Sequence, residues 1–269
     1  MPKPVTKNPL DRFSLASSIA KPRLIWAGFG EVGTGKTTFG LQAPGPIVVF
    51  SLDKGLEGVV EPFVENGKEI RIREYDWSPP PVDDDTPFEE REEFQKQAQE
   101  IRQQFEEDFE IAVNNARTVL LDKETDVWEL FRYAEFGAPN DAPRNYPALN
   151  QRYRRLINMP KATDINFGCI QGMKDEWVTR QKNDGSGKSQ GHNTGQRKRQ
   201  GFADLDALVH IDLRHRRGKN EEGDQCFFID VGKARGPGGH DLQDTTQENL
   251  TFSEFAQLVF PETGPEDWE

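Results

Sequence analysis

Gly30-Glu31-Val32-Gly33-Thr34-Gly35-Lys36-Thr37 fits the pattern G-x-x-x-x-G-K-[ST] of a phosphate-binding loop, or P-loop. The flanking sequence supports this, because the apolar run 23–28 predicts a strand before the loop and 37–42 predicts a helix after it. Glycines let backbone N–H groups turn toward a phosphate, and a helix N-terminus adds partial positive charge. The stretch therefore predicts a nucleotide site, with a Gly-rich turn before a helix as the alternative.

Two side chains of the loop have specific expected roles. Lys36 would neutralise the β- and γ-phosphates of ATP, and the Thr37 hydroxyl would complete the shell of a Mg²⁺ ion. The other residues expected to surround the phosphates are Gly30, Glu31, Val32, Gly33, Thr34, Gly35 and Thr38. ATP and Mg²⁺ are therefore the predicted ligands.

Composition limits the class of protein. The 269 residues suffice for one α/β domain with insertions, and the hydrophobic content of 34% predicts solvated insertions or tails. With a net charge of −12, nucleic-acid binding would depend on a local basic patch. Cys169 and Cys226 lie in apolar runs, and no signal core or membrane-spanning run is visible. These features predict a soluble, cytoplasmic protein with buried thiols and no membrane partner.

Apolar runs alternate with helical segments along the chain. The strands predicted from these runs, besides the one before the P-loop, are 47–52, 118–122, 165–171, 208–213 and 226–231. The last two would pair across the turn 216–224. This order predicts an α/β fold with a mainly parallel central sheet, helices on both faces and an antiparallel hairpin at one edge.

The predicted organisation is an N-terminal arm at 1–21, a domain at 22–260 and an acidic tail at 261–269. Within the domain, 76–115 is a charged insertion whose long helix carries one apolar stripe. That helix would pack on the core, or alternatively bind a partner. Residues 179–200 are predicted to form a mobile basic loop, since they are rich in Gly, Ser, Lys and Arg without apolar periodicity.

Polar residues end three of the predicted strands. Asp122 closes the strand 118–122 downstream of the P-loop, as in the Walker B pattern, and would hold Mg²⁺ together with Thr37. Asp53 would orient the attacking water, with a cap on the next turn as the alternative. Gln171 would sense the γ-phosphate, or alternatively bond to backbone. Glu124 and Thr125 could also face that phosphate.

Cations form two further groups. The predicted DNA-binding residues of the basic loop are Arg180, Lys182, Lys188, Arg197, Lys198 and Arg199. A flexible basic loop suits a phosphodiester backbone, with base stacking from Trp177 or Phe202 at its edges, although a purely solvated loop is the alternative.

The second group is Lys233 and Arg235, whose side chains would point to the same side of an extended backbone. Across a subunit interface they would reach a neighbour's γ-phosphate; surface charge near a turn is the alternative.

Taken in this order, the residues resemble the RecA-type branch of P-loop ATPases. More narrowly, the chain is similar to bacteriophage nucleotide-binding proteins with a RecA/recombinase core, including the Sak-type single-strand annealing ATPases. The segments that carry the resemblance are 30–38, 50–55, 119–122, 170–171 and 231–235. Together they span about residues 23–240, which is most of the chain.

This resemblance implies a RecA-like fold and a homo-oligomer, ring or filament, with ATP and Mg²⁺ at the subunit interfaces. It also implies single-stranded DNA at the 179–200 loop, a single-strand-binding or replication protein as a further partner, and a host cytoplasm as the location. Three departures stand out: Ser51 occupies a position where relatives often carry an acid, the 76–115 segment is large, and no separate DNA-binding domain is visible.

The sequence therefore predicts an ATP-binding, ATP-hydrolysing protein that binds single-stranded DNA in phage recombination, annealing or replication. The alternative is an ATP-switched loader or assembly factor with a protein partner, which the 88–113 helix and the acidic tail favour. A small-molecule kinase fits less well, because no acceptor pocket or lid arginines are recognisable.

Overall fold

The computed structural model describes residues 22–80, 86–137, 146–181 and 189–269, so the predicted arm at 1–21 lies outside it. The strands are β1 (Ile25–Gly30), β2 (Ile47–Ser51), β3 (Ile70–Glu74), β4 (Thr118–Asp122), β5 (Asn166–Gln171), β6 (Met173–Gln181), β7 (Ser189–Arg199), β8 (Ile211–Lys219), β9 (Gln225–Ala234) and β10 (Thr246–Glu248). The helices are α1 (Lys36–Leu41), α2 (Glu61–Glu65), α3 (Phe88–Asn115), α4 (Glu124–Phe136), α5 (Tyr146–Asn158), α6 (Leu205–Leu208), α7 (Gly239–Leu242) and α8 (Phe252–Val259). Within these ranges, no helix combines the length and apolar character that a membrane crossing requires.

Eight of the described strands form one sheet, in the order β10-β9-β8-β1-β5-β4-β2-β3. The strands from β8 to β3 in this order run parallel, while β9 and β10 run antiparallel to their neighbours. The predicted α/β class, mainly parallel sheet and antiparallel edge hairpin are therefore confirmed. The hairpin strands are longer than the apolar runs 208–213 and 226–231, because pairing continues into polar residues whose side chains face solvent.

Helices cover both faces of this sheet. Val119 and Leu121 belong to a core that also contains side chains of α3, α4 and α5, whereas Leu120 belongs to a second core with α1 and α8. Successive strand residues point to opposite faces, so this division follows from the strand geometry. A near-continuous apolar strand such as β4 is what a sheet buried on both faces requires.

The long helix α3 buries its apolar stripe on the sheet, which is the first of the two alternatives for it. Ala98, Phe105 and Phe109 are fully buried, and the rings of Phe105 and Phe50 lie 5.2 Å apart between centroids. The outer face of the helix is charged. The apolar stripe of α3 thus packs against the core of the same domain.

The predicted acidic tail is packed against the domain, which corrects the expectation of a solvated end. Trp268 is only 2% exposed and stacks on Phe260 at 5.8 Å between ring centroids. Arg117 donates hydrogen bonds to the carbonyl oxygens of Asp267 and Glu269. The Trp268 side chain therefore holds the acidic segment 261–269 against the domain, although the composition of this segment predicts exposure to solvent.

The segment predicted as a basic loop contains strands, which corrects that expectation. Strands β6 and β7 pair antiparallel as a separate two-stranded ribbon, from Met173↔Arg199 to Gln181↔Ser189. The described side chains of this ribbon are mostly exposed or half-buried. Since the ribbon buries no apolar face, its sequence carries no hydrophobic alternation from which strands could be predicted.

The parallel strands bring the predicted site residues to one edge of the sheet. Phe29 of β1 pairs with Gln171 of β5, and Asp122 of β4 pairs with Ile170. On the other side of β1, Gly30 pairs with His215 of β8. The carboxyl ends of these strands, where open α/β sheets bind their ligands, therefore form the candidate site.

Candidate nucleotide site

The P-loop closes around its lysine. Gly33 and Gly35 have φ of 75° and 83°, a backbone region that glycine adopts readily. The Lys36 Nζ atom donates to the carbonyl oxygens of Gly30 and Glu31, at 3.1 and 2.6 Å. Burial lowers the pKa of Lys36, although the charge of Asp122 opposes this effect. The ammonium group thus lies in the mouth of the loop, at the position where the P-loop sequence predicts phosphates.

Thr37 and Asp122 meet, as the sequence predicts for a shared metal site. The Thr37 hydroxyl donates to Asp122 Oδ2 at 2.7 Å. Burial raises the pKa of Asp122, while the Thr37 hydrogen bond lowers it. Among the described residues, no group of three or more His, Cys, Asp or Glu could hold a metal. One carboxylate, one hydroxyl and the phosphates of a nucleotide are a set that Mg²⁺ accepts, so these residues fit that ion.

Asp53 is both a cap and an ion-pair partner. Its Oδ1 accepts from the Gly55 N–H at 3.0 Å, and its Oδ2 lies 2.6 Å from Lys123 Nζ. Burial alone would raise the pKa of Asp53, but the bonds from Lys123, Gly55 and Ser51 together lower it. A carboxylate with a lowered pKa accepts protons poorly, so Asp53 is better suited to orient a water than to take its proton.

Glu124, which the sequence suggests could face the γ-phosphate, is bonded to buried side chains in the structure. Its side chain is fully buried, and its carboxylate accepts from the Tyr153 hydroxyl at 2.7 Å and from Gln171 Nε2 at 2.6 Å. Burial raises the pKa of Glu124 to about 7, against the opposing hydrogen bonds from Tyr153, Gln171 and the Phe202 N–H. An acid in the first turn of a helix is already favoured by the helix dipole, so its position carries no signal for this burial.

Gln171 bonds to a side chain, not to backbone as its alternative interpretation held. Its Nε2 atom donates to Glu124, whereas its Oε1 atom is buried and has no hydrogen-bond partner among the described residues. Thr125 instead contacts the base of the ribbon. Its hydroxyl accepts from the Gly172 N–H at 3.2 Å and lies 3.5 Å from the Gln200 carbonyl oxygen.

A cavity of about 200 Å³ lies beside the P-loop and was missed by the sequence analysis. Its walls come from α1, the β8–β9 hairpin and residues 249–250, with Phe227 next to Gly35. His215 contributes a buried imidazole whose Nε2 has no partner in the described part of the chain. Burial, and secondarily the charge of Lys36, lowers the pKa of His215 to about 3, so this wall is uncharged at neutral pH. A partly apolar cavity next to the loop suits a nucleotide base.

Three cations of β7, Arg197, Lys198 and Arg199, lie beside acids of this chain. Arg197 forms an ion pair with Glu31 of the P-loop, and Lys198 lies 4.0 Å from Glu176. Arg199 pairs with Asp212 and covers the Phe29 ring at 4.2 Å. The predicted residues Arg180, Lys182 and Lys188 lie outside the side chains that the structure describes.

The two candidate stacking residues differ. Trp177 is 60% exposed on the ribbon, whereas Phe202 is 2% exposed and packs against Trp128 at 4.8 Å between ring centroids. Phe202 therefore cannot stack on a base in this conformation, which corrects that expectation. Its apolar neighbours in the core explain why an aromatic residue beside a polar loop is buried.

Lys233 and Arg235 lie at the opposite edge of the sheet from their own P-loop. Asp212 pairs with Lys233 near the start of β8, whereas His215, the residue beside Gly30, pairs with Ile229. Four strand residues separate the two levels, or roughly 13 Å. Contact with a nucleotide would therefore need a neighbouring subunit.

A cluster of cations surrounds these two residues. Its other charged members are Arg23 and Lys161, and the His210 imidazole lies among these four cations. Burial, then the charges of these four neighbours, lowers the pKa of His210 to about 4. Burial and the charge of Arg235 also lower the pKa of Lys161. In a chain with a net charge of −12, this cluster is a local positive region suited to an anion.

No protein-family model matches this chain, and no curated protein matches it either. The function is therefore argued from the site itself.

Proposed function

We propose that the protein is a RecA-like P-loop ATPase that binds ATP and Mg²⁺ at residues 30–38 and Asp122. The observation that carries this proposal is the 2.7 Å hydrogen bond between Thr37 and Asp122, with Lys36 in the mouth of the same loop. A hydroxyl at the start of α1 and a carboxylate at the end of β4 are the two protein oxygens that a nucleotide-bound Mg²⁺ needs. The adjoining cavity has room for the base.

Hydrolysis would proceed by attack of water on the γ-phosphorus, with cleavage of its bond to the β–γ bridging oxygen. Lys36 would neutralise the phosphate oxygens, Asp53 would orient the water, and Gln171 would sense the γ-phosphate. Bound Mg²⁺ supplies further charge neutralisation. Because Asp53 is held by Lys123, this water-orienting group is engaged in an ion pair at rest, which is consistent with slow turnover.

Single-stranded DNA is the ligand proposed for the ribbon, and the ribbon is linked to the nucleotide site at two points. Arg197 contacts Glu31 within the P-loop, and Thr125, three residues after Asp122, contacts Gly172 directly before β6. Exposed Trp177 offers a stacking surface that any base can use. Nucleotide binding would thus alter the ribbon through the loop that holds its phosphates.

One observation favours the alternative of a loader or assembly factor with a protein partner. Each described cation that was predicted to contact DNA already faces an acid of this chain. Binding to a phosphate backbone requires those cations to exchange partners, whereas binding to a polar protein surface does not.

The proposal also includes an oligomer in which Lys233 and Arg235 of one subunit approach the nucleotide of the next. The cation cluster around them supports this, since among the described residues its one ion pair within 4 Å joins Arg23 to Asp164, although Asp206 and Asp212 lie near Lys233.

Sizing the protein with and without a non-hydrolysable ATP analogue and a single-stranded oligonucleotide tests all three parts. A larger species that requires the analogue and co-elutes with the oligonucleotide supports the first function. A nucleotide-dependent oligomer that leaves the oligonucleotide unbound supports the protein-partner alternative. A chain that neither binds the analogue nor changes size contradicts both.

A further inference from the structure

The strand order brings cations from four neighbouring strands to one edge of the sheet. Strands β9, β8, β1 and β5 follow one another across the sheet, and β9 runs antiparallel to the other three. The amino ends of β8, β1 and β5 therefore lie beside the carboxyl end of β9. The side chains found there are Arg23 before β1, Lys161 before β5, His210 before β8, and Lys233 and Arg235 at the end of β9. Four cations thus surround one imidazole at the edge opposite the P-loop.

Hydrogen bonds fix these segments relative to one another. The Arg235 N–H donates to the His210 carbonyl oxygen at 3.1 Å, and the His210 N–H donates to the first residue of β1 at 2.8 Å. The Arg23 guanidinium donates to the Lys161 carbonyl oxygen at 2.8 Å and lies 3.5 Å from Asp164. The cations are therefore held on an ordered backbone and not on separate loops.

Three of the four cations keep donors that no described residue uses. The Lys161 ammonium group has no hydrogen bond and no ion pair within the described part of the chain. The Arg235 guanidinium is exposed and is likewise unpaired there. Lys233 Nζ donates to the carbonyl oxygens of Asp206 and Val209, which leaves its third N–H group. Each of the three can therefore donate to a ligand.

Acids offset only part of this positive charge. Asp206 and Asp212 lie near Lys233, whereas the charges that act on Lys161 are those of two cations. Like charges repel one another, and a bound anion would relieve that repulsion. A phosphate group suits the arrangement, because its oxygens accept several charge-assisted hydrogen bonds and arginine offers a planar fork of donors.

We propose that Lys161, Lys233 and Arg235 form a binding site for a phosphate group, with His210 beside it. The phosphate has two possible sources, the nucleotide of a neighbouring subunit and free inorganic phosphate. The first source rests on the proposed ATPase function, whereas the second does not. Lys161 is the new member, since Lys233 and Arg235 alone were expected to reach a nucleotide.

Histidine NMR of the full chain reports on this site and on the P-loop separately. His210 lies among the four cations, whereas His215 lines the cavity beside the P-loop. We expect inorganic phosphate at neutral pH to shift the His210 imidazole resonances in a saturable way, and His210→Asn assigns those resonances. Sodium chloride at the same ionic strength is the control for screening. Shifts that sodium chloride reproduces in full overturn the inference.

Substitution of Lys161 tests its place in the site. Lys161→Gln should raise the Kd of the probe that shifts His210 roughly 10-fold, since the loss of one charged hydrogen-bond partner typically costs at least this much affinity. Lys96→Gln is the matched control, because Lys96 is exposed on α3. Should Lys161→Gln fail to fold, Arg235→Gln decides, since its side chain is exposed after β9. A Kd that the folded variant leaves unchanged overturns the inference.

Two probes distinguish the sources of the phosphate. A His210 shift with inorganic phosphate, independent of protein concentration, identifies free phosphate. A His210 shift that needs a non-hydrolysable ATP analogue and grows with protein concentration identifies the nucleotide of a neighbour. The absence of a His210 shift with both probes overturns the inference.

Failure of the proposed function is recognisable in the same spectra. A chain that shows no binding of the ATP analogue, by the His215 resonances or by calorimetry, lacks the nucleotide site, and a His210 shift with inorganic phosphate would still support this one. A chain in which the analogue shifts His215 while neither probe shifts His210 has the nucleotide site alone.

Discussion

The Thr37 hydroxyl donates a hydrogen bond of 2.7 Å to Asp122 Oδ2, and this bond joins two segments 85 residues apart in sequence. It brings the start of α1 against the end of β4, so that both oxygens face the position expected for Mg²⁺. We expect Asp122→Asn to bind ATP with the same affinity in Mg²⁺ and in EDTA, because the substituted amide binds the cation weakly. Titration of a fluorescent ATP analogue under both conditions measures this. If Mg²⁺ raised the ATP affinity of Asp122→Asn as much as that of the wild-type protein, the role of Asp122 would be contradicted.

Removing the Lys36 ammonium group should weaken ATP binding. A hydrogen bond to a charged group is worth about 1.5–3 kcal/mol, so we expect Lys36→Ala to raise the Kd for ATP by roughly 10- to 150-fold. Lys96→Ala is the matched control, because Lys96 is exposed on α3, away from the P-loop. Isothermal titration calorimetry compares the two variants. Equal affinities would remove residues 30–38 from the nucleotide site.

Two adjacent cations of the ribbon should respond differently to neutralisation. The Lys198 side chain is 48% exposed, whereas that of Arg199 is 17% exposed and covers Phe29. We expect Lys198→Gln to reduce the salt dependence of single-stranded DNA binding by about one unit of slope, as for one lost phosphate contact. Arg199→Gln should lower Tm instead and leave the slope unchanged. The opposite pattern would mean that Arg199 exchanges Asp212 for the DNA backbone.

The central strands β1, β2, β4 and β5 were predictable because they are buried on both faces and therefore read as continuous apolar runs, as 118–122 does. The meeting of Asp122 with Thr37 followed from the rule that parallel strands end at one edge. The ribbon was not predictable, since β7 pairs through its backbone while its side chains lie outside the core. For Trp268 the opposite holds, because its acidic neighbours predict exposure while the Trp268 side chain is buried.

The cavity beside the P-loop and the burial of Glu124 could not be predicted from the sequence for another reason. Both depend on contacts between residues far apart in sequence, such as Gly35 with Phe227 and Glu124 with Tyr153. No local spacing encodes such contacts. The sequence supplies the identity of each side chain, and only the packing of helices on the sheet supplies its partner.

Acid should destabilise the protein through His215. Burial lowers its pKa from 6.5 to about 3, so between these values the unfolded chain binds a proton that the folded chain does not. Stability from this group is therefore present above pH 6.5 and lost as pH falls toward 3. We expect the free energy of unfolding to fall by about 2 kcal/mol between about pH 6.5 and pH 4.5.

Urea denaturation across this pH range measures the effect. His215→Asn should show a flatter pH dependence than the wild-type protein, whatever its stability at neutral pH. His192→Asn is the matched control, since His192 is exposed on β7. Parallel curves for wild type and His215→Asn would show that this imidazole titrates normally in the folded state.

Mixing of inactive subunits should restore hydrolysis if Lys233 and Arg235 act on a neighbour. Lys233 Nζ lies 2.6 and 2.7 Å from the Asp206 and Val209 carbonyl oxygens, at the sheet edge opposite its own P-loop. A Lys36→Ala subunit retains both cations, and a Lys233→Ala/Arg235→Ala subunit retains its P-loop. A junction between them contains one complete site, so a mixture should hydrolyse ATP faster than either variant alone.

The control mixture pairs Lys36→Ala with Asp122→Asn, whose defects lie within the same half of the site. No junction in that mixture combines an intact P-loop and an intact Asp122, so we expect no recovery. Fluorescence energy transfer between labelled subunits establishes that the variants mix in both cases. Mixed oligomers without recovery in the first case would place Lys233 and Arg235 outside the nucleotide site, since a group acting across an interface must complement a subunit that lacks it.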